Sequence, residues 1–175
     1  MQNYLAISTL IDNANEVILT LLKHIKVSGC NISESRFTVL GEKLAVMLYL
    51  GGSWNEIAKM EDSLTKLERE FNSQILHERT TTPEQEGKAM PYAVDVVGLD
   101  QPGVILEITE FMTNSKLSVQ DLNSNMYRAS TTGAKLFYLH MTINIPLDTS
   151  IAAIRSDFID FCDRLNLDAI MEPVK

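Results

Sequence analysis

The residues best placed to do chemistry are Asp100, Gln101, Pro102, Gly103 and Val104. An apolar, β-branched run from Tyr92 to Gly98 leads into them, and an apolar helical pattern follows at once. Strand, tight loop and helix meet there. A helix start carries unpaired backbone N–H groups and the positive end of its dipole, and both favour a carboxylate. Gly103 lets a ligand approach the backbone closely, so the N–H groups from Gly103 to Ile105 could seat a small anion. Asp100 could then receive an ammonium group. The chemistry this predicts is recognition of a small zwitterion rather than bond making.

The other reactive side chains are scattered. His24, His77 and His140 each lack a second ligand or nucleophile at useful sequence spacing, so each is expected to be structural. Cys30 and Cys162 lie far apart, without CxxC or Cys/His spacing, and are read as buried thiols rather than a zinc site or disulfide framework. A net charge of -8 opposes extended contact with phosphate backbones. No apolar run reaches the roughly 18 residues of a membrane span. With no signal-peptide pattern at the start, the expected location is cytoplasmic.

The elements that must position the loop can be read from periodicity. Residues 3 to 11 alternate as a strand, Asp12 or Asn13 is expected to cap the next helix, and Val17, Ile18, Leu21, Leu22 and Ile25 recur at helical spacing before Gly29 ends it. A hairpin follows, Asn31 to Leu40 and Leu44 to Leu50 around Gly41-Glu42, and Gly51-Gly52 is expected to break it. Ser53 and Glu56 form a capping-box pattern before a helix with Ile57, Met60, Leu64, Leu67 and Phe71 on one face. Trp54 is expected to pack at its start. A short strand around 73 to 78 closes the set.

Residues 79 to 91, with three threonines, Pro83, Gly87 and Pro91, have no apolar period and read as a linker. The series then restarts: a strand at 92 to 98, a helix with Val104, Ile105, Ile108, Phe111 and Met112, a strand from Leu117 to Arg128, and a strictly alternating strand from Leu136 to Ile145 stopped by Pro146. Asp148 or Thr149 is expected to cap a helix with Ile151, Ile154, Phe158, Phe161 and Leu165 on its apolar face, and residues 167 to 172 form the last strand. Tyr4 corresponds to Tyr92 and Asp12 to Asp100, so the chain is an internal repeat. Each repeat is a split βαβ pair, and right-handed crossovers put both helices on one face of a four-stranded antiparallel sheet. The expected class is α+β, two ferredoxin-like βαββαβ domains, 1–79 and 92–175, joined by a linker at 80–91. The apolar residues on the other sheet face are expected to be covered by the other repeat or a second chain.

Asp-Gln-Pro-Gly at 100 to 103 within this six-element unit resembles an ACT domain, an amino-acid-sensing module. The first half adds Ser-Gly-Cys-Asn-Ile-Ser-Glu-Ser-Arg at 28 to 36, Leu40-Gly41-Glu42 and Gly52-Ser53-Trp54-Asn55. That combination is similar to the glycine cleavage system transcriptional repressor family, built of two ACT domains, and the resemblance covers essentially the whole chain. The first repeat departs from the pattern, with Asp12-Asn13-Ala14-Asn15 in place of the Pro-Gly loop. Without glycine, any residue needing positive φ there would be Asn15. The first domain is therefore read as degenerate, and ligand binding is placed in the second.

The resemblance implies a second ligand wall at the start of the second strand of each unit. Here that is Asp121 and Asn123, or Asn31 and Ser33, whose side chains can donate or accept as a zwitterion requires. It also implies a non-enzymatic regulator, responsive to glycine, that restrains a DNA-binding activator by protein contact without binding DNA itself. A freestanding amino-acid-binding subunit regulating an enzyme is the alternative. The expected partners are a small amino acid and that activator, with a homodimer possible and no metal, cofactor or membrane. Rivals sharing the topology fit less well: an acylphosphatase needs an arginine that neither loop has, an RNA-recognition module needs aromatic and basic residues, and a ferredoxin needs cysteine runs.

Overall fold

The computed structural model describes residues 2–12, 14–81 and 89–174. Two compact units emerge, Met1–Glu84 and Gln85–Lys175. In the first, β1 (Asn3–Asp12), α1 (Asn15–Ser28), β2 (Asn31–Leu40), β3 (Lys43–Gly52), α2 (Trp54–Phe71) and β4 (Ile75–Thr80) build an antiparallel sheet in the order β2-β3-β1-β4. The second repeats it with β5 (Ala89–Leu99), α3 (Val104–Asn114), β6 (Ser118–Arg128), β7 (Lys135–Pro146), α4 (Ile151–Arg164) and β8 (Leu167–Pro173), ordered β6-β7-β5-β8. Both are the ferredoxin-like βαββαβ arrangement, with the two helices on one face. The fifth strand begins earlier than residue 92, and residues 82–88 of the expected linker lie outside the described residues.

Each unit has its own core. In the first, Leu5, Ile7 and Ile11 of β1 pair across with Leu50, Leu48 and Leu44 of β3, and the buried stripe of α2 closes over them. In the second, Val94 and Val96 meet Met141 and Leu139, capped by Ile108, Met112 and Phe158. Each fully buried side chain of this kind contributes about 1.5–3 kcal/mol by leaving water. Cys30 and Cys162 lie in these cores, and burial first, then the Asp163 charge, pushes the Cys162 thiol up to about 12.

Several local expectations give way. The cap of α1 is Ala14, with no side-chain hydrogen bond; Asp12 instead takes a 2.6 Å bond from Lys43 Nζ, its cross-strand partner, while Asn13 lies outside the described residues. Nor does Asn15 adopt positive φ; it is the first residue of α1. The cap of α4 is Ser150, because the chain is still turning at Thr149, whose N–H reaches Pro146 O. The Ser53–Glu56 capping box forms as read.

Gly51 and Gly52 do not break β3. They pair with Tyr4 and Asn3 inside the ladder, and a Cβ on Gly51 would lie 3.0 Å from Gln2 Nε2 and 3.3 Å from Ser33 Oγ. Glycine here permits close packing across the strand end rather than a turn. Trp54 lies at the start of its helix but packs against a surface side chain there. It is 60% exposed at the start of α2, with the Arg79 guanidinium 5.4 Å from its ring centroid.

Candidate functional site

The loop after β5 takes the shape its residues dictate. Asp100 N–H donates to Lys135 O at 3.2 Å, holding the loop to the start of β7. Gln101 Nε2 donates to Leu165 O at 3.3 Å, which ties the loop to the end of α4, so this side chain is spent on positioning. Gly103 is the N-cap of α3 with φ +89°, a left-handed conformation that glycine adopts without penalty. Having no side chain, it leaves the first-turn N–H groups of α3 without a side-chain cap. Val104 N–H turns back to Gln101 O at 3.3 Å. The N–H groups of Ile105 and Leu106 therefore carry the anion-seeking end of the helix.

The two repeats differ at this loop in charge. Asp12 is ion-paired with Lys43, whereas Asp100 has no ion pair among the described residues. A free carboxylate beside an uncapped helix start suits a zwitterion better than the paired carboxylate of the first repeat.

Within one unit, the expected second wall is not brought to this loop. Asp121 pairs with Thr142, which pairs with Ala93, while the Asp100 loop lies beyond the Leu99–Leu136 pair. Seven residues of β5 separate the two levels, roughly 23 Å at 3.3 Å per residue. The two candidate walls occupy opposite ends of the sheet. Asn31 and Ser33 likewise sit at the start of exposed β2, with Ser33 at a register shift between Ile32 and Glu34.

Asp121 and Asn123 join something else. Asn123 Nδ2 donates to Asp121 Oδ2 at 2.7 Å, and Asn123 pairs across the sheet with His140. His140 Nδ1 lies 2.8 Å from Asp95 Oδ1, and Tyr138 OH donates to the same oxygen at 2.5 Å. His140 is therefore not solitary. The residues are 45 apart in sequence, and only the β5–β7 register makes them neighbours. The one sequence signal was Asp95 itself, a charge in the middle of a valine-rich strand.

Burial raises the Asp95 carboxyl, but the hydrogen bonds from Tyr138 and His140 and the charge of protonated His140 outweigh it and hold it below the usual carboxylate range. The Asp95 bond, with burial and charge, pushes the Tyr138 hydroxyl above its ordinary 10.0. A lowered carboxyl stabilises the fold above its unfolded pKa, and the contribution disappears as pH falls through the folded value; a raised phenol stabilises below its unfolded pKa and is lost as pH rises through the folded value. Asp95→Asn should therefore cost about 1 kcal/mol at neutral pH, less than the roughly 1.5–3 kcal/mol of a buried charged hydrogen bond because the site is part-exposed. Urea titrations across pH should show both the acid and the alkaline loss of stability become shallower than in wild type. Identical pH profiles would rule the network out as a contributor.

Among the described residues no group of three His, Cys, Asp or Glu side chains could hold a metal ion, and no helix is long and apolar enough to cross a membrane. Residues 5–77 match the ACT domain family model. The first unit thus resembles an ACT domain, and the second repeats its element and strand order. The match falls on the first repeat, whose loop departs from the Pro-Gly pattern, so identity there resides in the elements rather than in the loop.

The chain is 28% identical over 165 residues to the glycine cleavage system transcriptional repressors of Escherichia coli (strain K12) and Shigella flexneri, covering 94% of this chain and 87% of each relative. Its fold resembles a solved structure described as a candidate repressor of the same kind, with TM-score 0.74 and 17% identity over 100% of this chain and 99% of that one. It also resembles an unknown protein from Galdieria sulphuraria, with TM-score 0.78 and 16% identity across the full length of both chains.

Proposed function

We infer that this chain is a non-enzymatic, cytoplasmic regulator that responds to a small amino acid, glycine, and represses glycine cleavage genes by contacting a DNA-binding activator rather than DNA. The observation that carries this reading is the alignment with the glycine cleavage repressors over 94% of the chain. The ACT match supports amino-acid sensing, and the net charge of -8 supports action without DNA contact.

The proposed seat is the Asp100–Val104 loop, with Asp100 receiving the ammonium and the first turn of α3 the carboxylate. Since Asp121 and Asn123 lie at the other end of the same sheet, a homodimer offers a route to join them. Antiparallel pairing of two β6 edges would set the start of one β6 at the same end of the doubled sheet as the other copy's loop. Asn31 and Ser33 would serve the first domain in the corresponding way.

Calorimetric titration of the full chain with glycine, then with other amino acids, tests the reading: saturable binding of glycine with one-to-one heat per chain is expected. Heat for no amino acid would remove the sensing role. The chain alone should also fail to retard operator DNA, and tight salt-sensitive retardation in a gel-shift assay would contradict the proposed route.

A further inference from the structure

We propose that the free edge of β8 is a docking strand for an extended segment of another protein, one carrying two basic side chains four residues apart on one face. The surface is separate from the amino-acid seat and does not depend on it.

The edge is identified by its hydrogen bonding. The strand β8 is last in its sheet, and Val174 N–H donates to Pro91 O at 3.1 Å. In an antiparallel ladder, residues alternate between those that exchange bonds with the neighbour and those that turn both N–H and C=O away. Counting back from Val174, Glu172, Ile170 and Asp168 bond to β5, while Ala169 and Met171 direct their backbone groups outward. Pro173 falls on the outward set, the one place where proline's missing N–H removes no ladder bond.

Beside this edge runs a groove of about 500 Å³, walled by Arg155 and Ile159 of α4 and by β8 from Ala169 to Pro173. The first unit bridges the corresponding strand and helix with side chains. There Arg79 of β4 makes two bonds, 2.8 and 2.6 Å, to Glu61 of α2 and lies over Trp54, strapping strand to helix. Among the described residues no ion pair links α4 to β8. Both strands are last in their sheets, but only in the first unit does a side-chain pair bridge strand and helix beside that edge.

Charge selects the occupant. Asp168 and Glu172 are exposed and flank Ile170, 57% exposed, on the sheet face away from the helices. A second copy pairing through β8 in the register centred on Ile170 would set Asp168 against Glu172 twice, and like charges directly opposite are destabilising. A strand reading basic, acidic, aliphatic, aliphatic, basic matches instead. Its basic residues would face Glu172 and Asp168, its acidic residue would turn toward Arg155, and its aliphatic residues would meet Ile170 and Ile159. Strand addition supplies affinity through the main chain and specificity through alternate side chains.

The probe is a fluorescein-labelled, end-capped peptide of sequence Thr-Lys-Glu-Val-Val-Lys-Thr, titrated with the full chain and read by anisotropy. Saturable binding is expected, at least tenfold weaker for Ala169→Pro, which removes an outward N–H as Pro173 already does. A peptide with both lysines changed to glutamate should bind at least tenfold more weakly. If Ala169→Pro fails to fold by circular dichroism, the doubly substituted Asp168→Lys, Glu172→Lys chain replaces it and should reverse the peptide preference. No binding, equal binding of both peptides, or a dimer in sedimentation that Ala169→Pro dissociates would overturn the proposal.

Discussion

Replacing Phe158 by alanine should unfold the second unit far earlier than the first. Phe158 is fully buried, with ring centroids 5.3 Å from Phe111 and 6.4 Å from Phe161, so its removal opens a cavity among rings that α3 and α4 hold in place. A truncation of this kind costs about 3–5 kcal/mol, the lost transfer energy plus the unfilled volume. Against a typical domain stability of about 5–15 kcal/mol, that is a large fraction. The sole tryptophan, Trp54, belongs to the first unit, so its fluorescence reports that unit alone. In urea, part of the far-ultraviolet circular dichroism should be lost about 2 M earlier than in wild type, taking a dependence of about 1–3 kcal/mol per molar. The Trp54 midpoint should stay where it was, since its core cluster contains no residue of the second. A Trp54 transition that moves together with the dichroism would show that the two units unfold as one.

Much of this architecture was legible because apolar period is a direct record of burial. The alternation from Leu136 to Ile145 became β7, with Phe137, Leu139, Met141, Ile143 and Ile145 all buried, and the stripe from Ile57 to Phe71 became the inner face of α2. What sequence did not settle is anything fixed by register. The Asp95, Tyr138 and His140 network depends on β5 and β7 pairing with Asp95 opposite His140, and a shift of one residue would have turned Asp95 into the core. The separation of the two candidate walls has a similar origin. In sequence, Asp121 follows the loop closely, but α3 has 11 residues and carries the chain about 16 Å, at 1.5 Å per residue, to the far end of the sheet before β6 begins. The caps depend on such contacts too: Asp12 is bonded to Lys43 opposite it, and Thr149 is still in the turn from Pro146, so neither caps a helix. Trp54 sits at the start of α2, where an indole over an arginine that is itself held by Glu61 is satisfied at the surface.

Gly103→Val should abolish amino-acid binding while leaving the second unit folded. At φ +89° a β-branched residue is strained, at a cost of roughly 1–2 kcal/mol. Beyond the two neighbouring residues nothing lies within 4 Å of the position a Cβ would take, so backbone strain is the main expected penalty. To relieve it, the backbone must rotate at the N-cap residue, which sets the direction of the first-turn N–H groups of Ile105 and Leu106. Hydrogen bonding is steep in angle, so even a modest rotation should weaken carboxylate capture at least tenfold, about 1.4 kcal/mol. The added isopropyl group also covers the approach to the helix start. The control is Gly41→Val, in the turn between β2 and β3, where φ is +63° and again nothing lies within 4 Å. Both variants should lose similar stability in urea, the first in the second unit and the second in the first. Only Gly103→Val should lose the calorimetric signal for glycine. Equal binding by the two variants would move the ligand away from the Asp100–Val104 loop, because identical strain would then have had no consequence at the one place where backbone direction is proposed to matter.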